Sequence, residues 1–159
     1  MNETSTETLS VIVEREIPFP PEKIWRALTQ PHLIEEWLMK NDFKPVVDHR
    51  FNFRADWGAV DCQVVTVEPN KTLSYTWAAY GLESVVTWTL TPTSTGTHLR
   101  MEQSGFRPDQ QQAYQGAKAG WPRFFTLVQC QCFCLAARWA TRCGTESLRC
   151  LGGQRLAYR

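Results

Sequence analysis

Alternation of apolar and polar residues across positions 50–106 is the feature that most constrains the fold. A period of two is typical of strands that bury one face. It appears first in "RFNFRADW" and then in four further segments: "AVDCQVVTVE", "LSYTWAAY", "SVVTWTLTP" and "THLRMEQSGF". Turns as short as "PNKT" and "TSTG" join antiparallel neighbours, because parallel strands need a long crossover. The middle of the chain therefore predicts an antiparallel meander.

Helical periods flank this meander on both sides. "LSVIVEREI" (9–17) predicts a first strand, and "PFPPEKIWRALTQ" and "HLIEEWLM" (32–39) predict two short helices after it. A helical period returns after Pro108 and predicts a long C-terminal helix, which Pro122 should kink or split. This order predicts an α+β fold, in which a curved antiparallel sheet of about six to seven strands wraps around the C-terminal helix.

The chain of 159 residues, 43% of them apolar, is the size of one domain with a real core. We expect a flexible N-terminus over 1–8, a domain over 9–137 and a separate tail over 138–159. From Leu127 onward the sequence has five Arg against one Glu, no Lys and five of the six Cys. This composition is typical of a divergent, disordered tail and also of DNA translated in a shifted frame, and the sequence leaves both explanations open.

Charge and patterning exclude several kinds of partner. A net charge of +1 gives no reason to expect nucleic acid or an acidic membrane surface. No signal peptide and no run of about 18 apolar residues is present, so we expect a cytoplasmic protein with reduced cysteines. Cys130, Cys132 and Cys134 lack a second ligand pair at zinc spacing, so we expect no metal and no other cofactor.

Aromatic residues are the best candidates for a binding site. Small-molecule sites are lined mainly by apolar and aromatic side chains with a few polar groups, although the same rings could simply fill a core. His49 and Arg54 are the candidate polar handles. The candidate lining consists of eight aromatic side chains: Trp37, Phe53, Trp57, Tyr75, Trp77, Trp88, Trp121 and Phe124.

The order of these elements, together with four segments, resembles a known family. The chain is similar to the START-like, or helix-grip, superfamily, in the branch related to the activator of the Hsp90 ATPase. The resemblance covers roughly residues 9–126. The segments that carry it are "PPEKIWRALTQPHLIEEWL", "LSYTW", "VTWTLTPTSTGTHLRMEQSGF" and "AGWPRFF".

This resemblance implies a cavity between the curved sheet and the C-terminal helix. Relatives use such a cavity for apolar or aromatic small molecules, some are cyclases, and some activate chaperones, which would connect the chain with the stress response. The expected function is therefore binding of a small hydrophobic or aromatic molecule, without a catalytic residue. A polyketide cyclase-like or hydrolytic enzyme and an Hsp90-type chaperone activator are the alternatives. A homodimer and a chaperone are the further candidate partners.

Overall fold

A computed structural model describes residues 7–137, with side chains as far as Cys132. The predictions for 1–6 and for the tail 138–159 lie outside the described residues. The elements in chain order are β1 (Leu9–Ile17), α1 (Pro21–Thr29), α2 (Pro31–Trp37), β2 (Lys40–Asn41), β3 (Arg50–Ala55), β4 (Gly58–Glu68), β5 (Thr72–Ala79), β6 (Leu82–Pro92), β7 (Thr97–Phe106) and α3 (Gln111–Ala137).

Within residues 7–137 the strands form one sheet of seven, in the order β1-β7-β6-β5-β4-β3-β2. Every neighbouring pair is antiparallel. β3 to β7 are consecutive neighbours, so the meander predicted from the period of two is confirmed. The first strand of the chain pairs with the last, and this pairing places β1 beside α3 at one edge of the sheet.

The strands β3, β4, β6 and β7 bury one face and leave the other partly open to solvent. In β6, Val86, Trp88 and Leu90 are buried while the residues between them are half-buried. The inner face of the sheet, which carries these buried side chains, packs against the three helices. An irregularity in the β4–β5 pairing between Val64 and Thr66 adds an extra residue to β4, and such bulges bend a strand. The predicted α+β helix-grip fold is confirmed.

The two short helices begin at prolines, as the sequence predicts. Pro21 and Pro31 occupy the first positions of α1 and α2, where a missing N–H costs no hydrogen bond. The indole Nε1–H of Trp37 donates a 2.8 Å hydrogen bond to the carbonyl of Ala27. This buried bond joins the end of α2 to α1 and fixes the Trp37 ring against the inner face of the sheet.

The long helix α3 continues through Pro122 without interruption, so the expectation that this residue splits it is wrong. A proline inside a helix costs roughly 3 kcal/mol, because it removes one backbone hydrogen bond and crowds the preceding turn. Buried Trp121, Phe125 and Val128 lie on both sides of it and offset that cost. Arg15 on β1 also donates to the Pro122 carbonyl at 3.2 Å and to the Thr126 hydroxyl at 2.9 Å.

Candidate ligand site between sheet and helix

Aromatic side chains from the sheet, α2 and α3 meet in one continuous group, which we call the aromatic cluster. It contains seven of the eight predicted lining residues. The ring pairs that connect it have centroid separations between 5.4 and 6.0 Å. Its members are Trp37, Phe53, Tyr75, Trp77, Trp88, Trp121, Phe124 and Phe125.

The centre of the aromatic cluster is Trp88, which is fully buried. Its ring meets Trp37 edge-on at 5.7 Å, Trp121 edge-on at 5.8 Å and Phe125 in a stacked arrangement at 5.4 Å. These separations are those of directly packed rings, which leave no space for a ligand ring between them. The middle of the cluster is therefore protein core.

A chain of buried hydrogen bonds crosses the aromatic cluster from helix to sheet. Trp121 Nε1–H donates to Gln103 Oε1 at 2.7 Å, and Gln103 Nε2–H donates to Ser84 Oγ at 2.9 Å. The Ser84 hydroxyl in turn donates to the backbone carbonyl of Trp77 at 3.0 Å. This chain fixes α3 above β5, β6 and β7. Sequence analysis missed Gln103 and Ser84, although each is a polar residue at an inward position of its strand.

A second internal hydrogen bond joins two ring systems. Trp88 Nε1–H donates to the Tyr75 hydroxyl oxygen at 3.1 Å. Burial raises the pKa of the Tyr75 hydroxyl far above its usual range, and burial followed by the charge of Asp61 does the same to the pKa of the Cys62 thiol. Both groups are therefore neutral at physiological pH and cannot act as bases there.

The aromatic cluster is partly accessible to solvent at one ring on β5 and one on α3. Trp77 and Phe124 are only partly buried, and each packs against buried Trp121, at 5.6 and 5.5 Å. Half-buried Ala79 and Ala117 pack against the hydrophobic core as small side chains. We call Trp77, Trp121 and Phe124 the rim, because here the rings of the cluster become accessible to solvent.

The eighth predicted lining residue, Trp57, lies outside the aromatic cluster. It sits in the turn between β3 and β4, is 50% exposed, and contacts the Tyr80 ring at 6.2 Å. The period of two places Trp57 on the same face as Phe53, but β3 ends at Ala55. Beyond that residue the alternation of the strand no longer determines the direction of a side chain.

The two candidate polar handles lie away from the rim. Arg54 is exposed, and it alternates with buried Phe53, so its side chain lies on the outer face of β3. His49 stacks parallel to Phe51 at 6.2 Å, and its Nε2 lies 3.0 Å from the Asp42 carbonyl oxygen. The structure therefore does not bring either group to Trp77 or Phe124.

Two surface grooves of about 480 Å³ lie elsewhere. One is on the outer face of β3, β4 and β5, and the other lies between the residues after β1 and the β6–β7 turn. Among the side chains that the structure describes, no three from His, Cys, Asp or Glu are grouped so that they could hold a metal ion. No helix in the same range is long and apolar enough to cross a membrane.

A family model described as "Activator of Hsp90 ATPase homolog 1-like protein" matches residues 18–128. The chain belongs to this family. The match contains both short helices, β2 to β7 and the first two thirds of α3, so it includes the aromatic cluster and the rim. A search of curated proteins gave no match.

Solved structures agree with the family assignment. Protein MLL2253 from Mesorhizobium loti is 69% identical, with a TM-score of 0.76, over 77% of this chain and 96% of that protein. DynU16, a protein of the dynemicin biosynthetic locus, is 27% identical with a TM-score of 0.68, over 76% of this chain and 45% of DynU16. The Aha1 dimer from Colwellia psychrerythraea has the same fold, with 21% identity and a TM-score of 0.69 over 76% of this chain and 93% of that one.

Proposed function

We propose that this family member binds a small apolar or aromatic molecule at the rim, between the sheet and α3. The observation that carries the proposal is the arrangement of Trp77 and Phe124. Both are partly open to solvent, and each packs edge-on against buried Trp121. An apolar ligand placed there would cover ring surface that folding leaves exposed.

The energetics favour an apolar ligand at this position. Burial of apolar surface contributes about 25 cal/mol per Å², so a ring system that covers roughly 100 Å² of protein surface gains about 2.5 kcal/mol from that surface alone. Trp121 is already held by its hydrogen bond to Gln103, so binding orders little of the protein. The polar atoms of this network are already paired with one another, so an apolar ligand leaves none of them unsatisfied.

The catalytic alternative receives no support from the described residues. Acid–base chemistry needs a titratable group whose pKa lies near the working pH. Inside the aromatic cluster the titratable side chain is Tyr75, and beside it lies Cys62, and the pKa of each is raised by burial. We therefore propose binding without catalysis and without a cofactor.

A cytoplasmic location, a homodimer and a chaperone partner remain predictions. The Colwellia Aha1 dimer, which has the same fold, is the reason to measure whether this protein forms a dimer.

Titration of the protein with a panel of two- and three-ring aromatic compounds tests the proposal, with intrinsic tryptophan fluorescence as the readout. We expect saturable binding, and we expect Phe124→Ala and Trp77→Leu to raise the dissociation constant roughly tenfold, since each removes about 1.4 kcal/mol or more of ring contact. Trp25→Leu is the matched control, because Trp25 is also a partly buried tryptophan but lies on α1.

Two results would contradict this function. One is the absence of any saturable response across the panel. The other is binding that Phe124→Ala and Trp77→Leu leave unchanged while both variants retain the unfolding transition of the wild type, because the ligand would then lie elsewhere.

A further inference from the structure

Two exposed aromatic side chains stand together at neighbouring hairpin tips. Trp57 lies in the β3–β4 turn and Tyr80 in the β5–β6 turn, and they are 50% and 81% exposed. Their ring centroids are 6.2 Å apart, and the Tyr80 hydroxyl donates a 2.8 Å hydrogen bond to the Trp57 carbonyl. This bond ties together two turns that are not consecutive in the chain.

The Trp57–Tyr80 pair lies at the edge of the inner face of the sheet. Gly58 shares its strand face with Val60 and Cys62, which are buried on the inner side. A Cβ atom on Gly58 would point to that side, and it would meet the Tyr80 hydroxyl there. The Tyr80 side chain therefore crosses the inner side of β4, where Gly58 leaves room for it.

The turn that carries Tyr80 is unusual for its sequence. Tyr80 and Gly81 both have positive φ, at 50° and 80°, and they form the two-residue loop between β5 and β6. Such loops favour Asn, Asp or Gly at the first position, because a side chain with a bulky ring is strained there. The hydrogen bond to the Trp57 carbonyl uses the hydroxyl of Tyr80, while its ring stays 81% exposed and available for contact with another molecule.

Small residues separate this pair from the rim. Along the inner face, Ala55 follows Phe53 on β3, and Ala79 follows Trp77 on β5. Each alanine lies two residues, or about 6.6 Å, beyond the last large ring of its strand. Both alanines are half-buried, and Ala55 pairs with Gly58, so the inner face near the Trp57–Tyr80 pair carries small residues.

We propose that Trp57 and Tyr80 form an aromatic clasp, which contacts the outer end of the ligand and selects planar aromatic molecules over saturated ones of the same size. The inference rests on the proposed binding at the rim, and it adds the chemical class of the ligand. A flat ring lying over Ala55 and Ala79 stacks against the faces of the clasp, whereas a puckered saturated ring loses this contact.

The test compares two probes with the same carbon skeleton and hydroxyl group, 2-naphthol and decahydro-2-naphthol, by calorimetric titration. We expect the wild type to bind 2-naphthol roughly three- to tenfold more tightly, which is the range that stacked aromatic contacts provide. Trp57→Leu and Tyr80→Leu should remove this preference while both probes still bind. Tyr80→Phe keeps the ring and should retain most of it, and Trp25→Leu is the control.

The outcomes separate the two proposals. If neither probe binds the wild type, the proposed function fails and the clasp fails with it. If both probes bind without a preference for 2-naphthol, or if the preference survives Trp57→Leu and Tyr80→Leu, the clasp is wrong while binding at the rim stands. Loss of the preference in both leucine variants, with unfolding transitions like that of the wild type, supports the clasp.

Discussion

Aromatic residues at the centre of this molecule are buried against other rings, whereas those at its margin are partly exposed. Trp88 is fully buried and meets three rings, and its N–H is paired with Tyr75. Trp57 is half exposed, meets one ring and lies in a turn. The comparison shows that ring content alone does not define a binding site. A filled core and an open margin can occupy the same face of one sheet, and accessible ring surface distinguishes them.

Truncation at the centre should have the largest effect on stability. Trp88→Ala removes a buried ring that contacts Trp37, Trp121 and Phe125, so we expect a loss of about 3–5 kcal/mol in the free energy of unfolding. Urea denaturation measures it, and Trp88→Phe keeps most of the packing if the alanine variant does not fold. A loss below about 1 kcal/mol would show that the centre is loosely packed and able to accept a ligand.

Raising the pH should destabilise the folded protein, because α3 carries a buried thiol, Cys132. Burial raises the pKa of Cys132 from 9.0 to about 11, although the positive charge of Lys23 opposes the shift. The folded state therefore holds the thiol proton more tightly than the unfolded state does. The resulting stability is complete below pH 9 and is lost as the pH rises towards 11, at about 1.4 kcal/mol per pH unit.

Urea unfolding at pH 8, 9, 10 and 11 measures this loss. Cys132→Ala should reduce the slope, while the raised pKa values of Cys62 and Tyr75 retain part of it. An unfolding free energy that does not change between pH 8 and pH 11 would mean that these groups are accessible to solvent in the folded protein.

The buried hydrogen bonds that join the centre to the rim should have an intermediate effect. Gln103→Leu leaves Trp121 Nε1–H without its acceptor and Ser84 Oγ without its donor, so we expect a loss of about 1–3 kcal/mol. Gln63→Leu is the matched control, because Gln63 is half-buried on the outer groove of β4 and should change stability by roughly 0.5 kcal/mol or less. If the two substitutions changed the free energy of unfolding equally, Gln103 would not act as a link between α3 and the sheet.

Substitutions in the clasp should have the smallest effect on stability. Trp57→Ala alters a half-exposed turn residue, so the free energy of unfolding should change by about 0.5 kcal/mol, against several kcal/mol for Trp88→Ala. Thermal or urea unfolding of the two variants side by side measures the contrast. A destabilisation by Trp57→Ala that approaches that of Trp88→Ala would assign Trp57 to the core.

The sheet and its order could be predicted from two features of the sequence. The period of two indicates which side chains face the core, and the short turns indicate which strands are neighbours. Inside β6 the alternation places Trp88 between Val86 and Leu90 on the buried face, as observed. It does not extend into the turns, where the backbone geometry determines the direction of a side chain. This is why Trp57 lies outside the aromatic cluster and why the pattern gives no sign of Tyr80. The alternation also places Arg54 on the outer face, so its choice as a polar handle conflicted with the pattern itself.

The candidate site was harder to predict than the fold, since it depends on contacts between distant segments. Gln103 lies 18 residues from Trp121 and 19 from Ser84, and no local pattern relates them. Their polar character at inward strand positions was the available signal. The Arg15 side chain that donates to the Pro122 carbonyl in α3 is likewise 107 residues away in the sequence.

NMR of the tryptophan indole N–H groups during titration with 2-naphthol shows whether the ligand binds at the rim or in the core. We expect the Trp77 and Trp57 resonances to move with saturable binding while those of Trp37 and Trp88 stay in place. Movement of the Trp37 and Trp88 resonances with Trp77 unaffected would place the ligand inside the filled centre and would exclude binding at the rim.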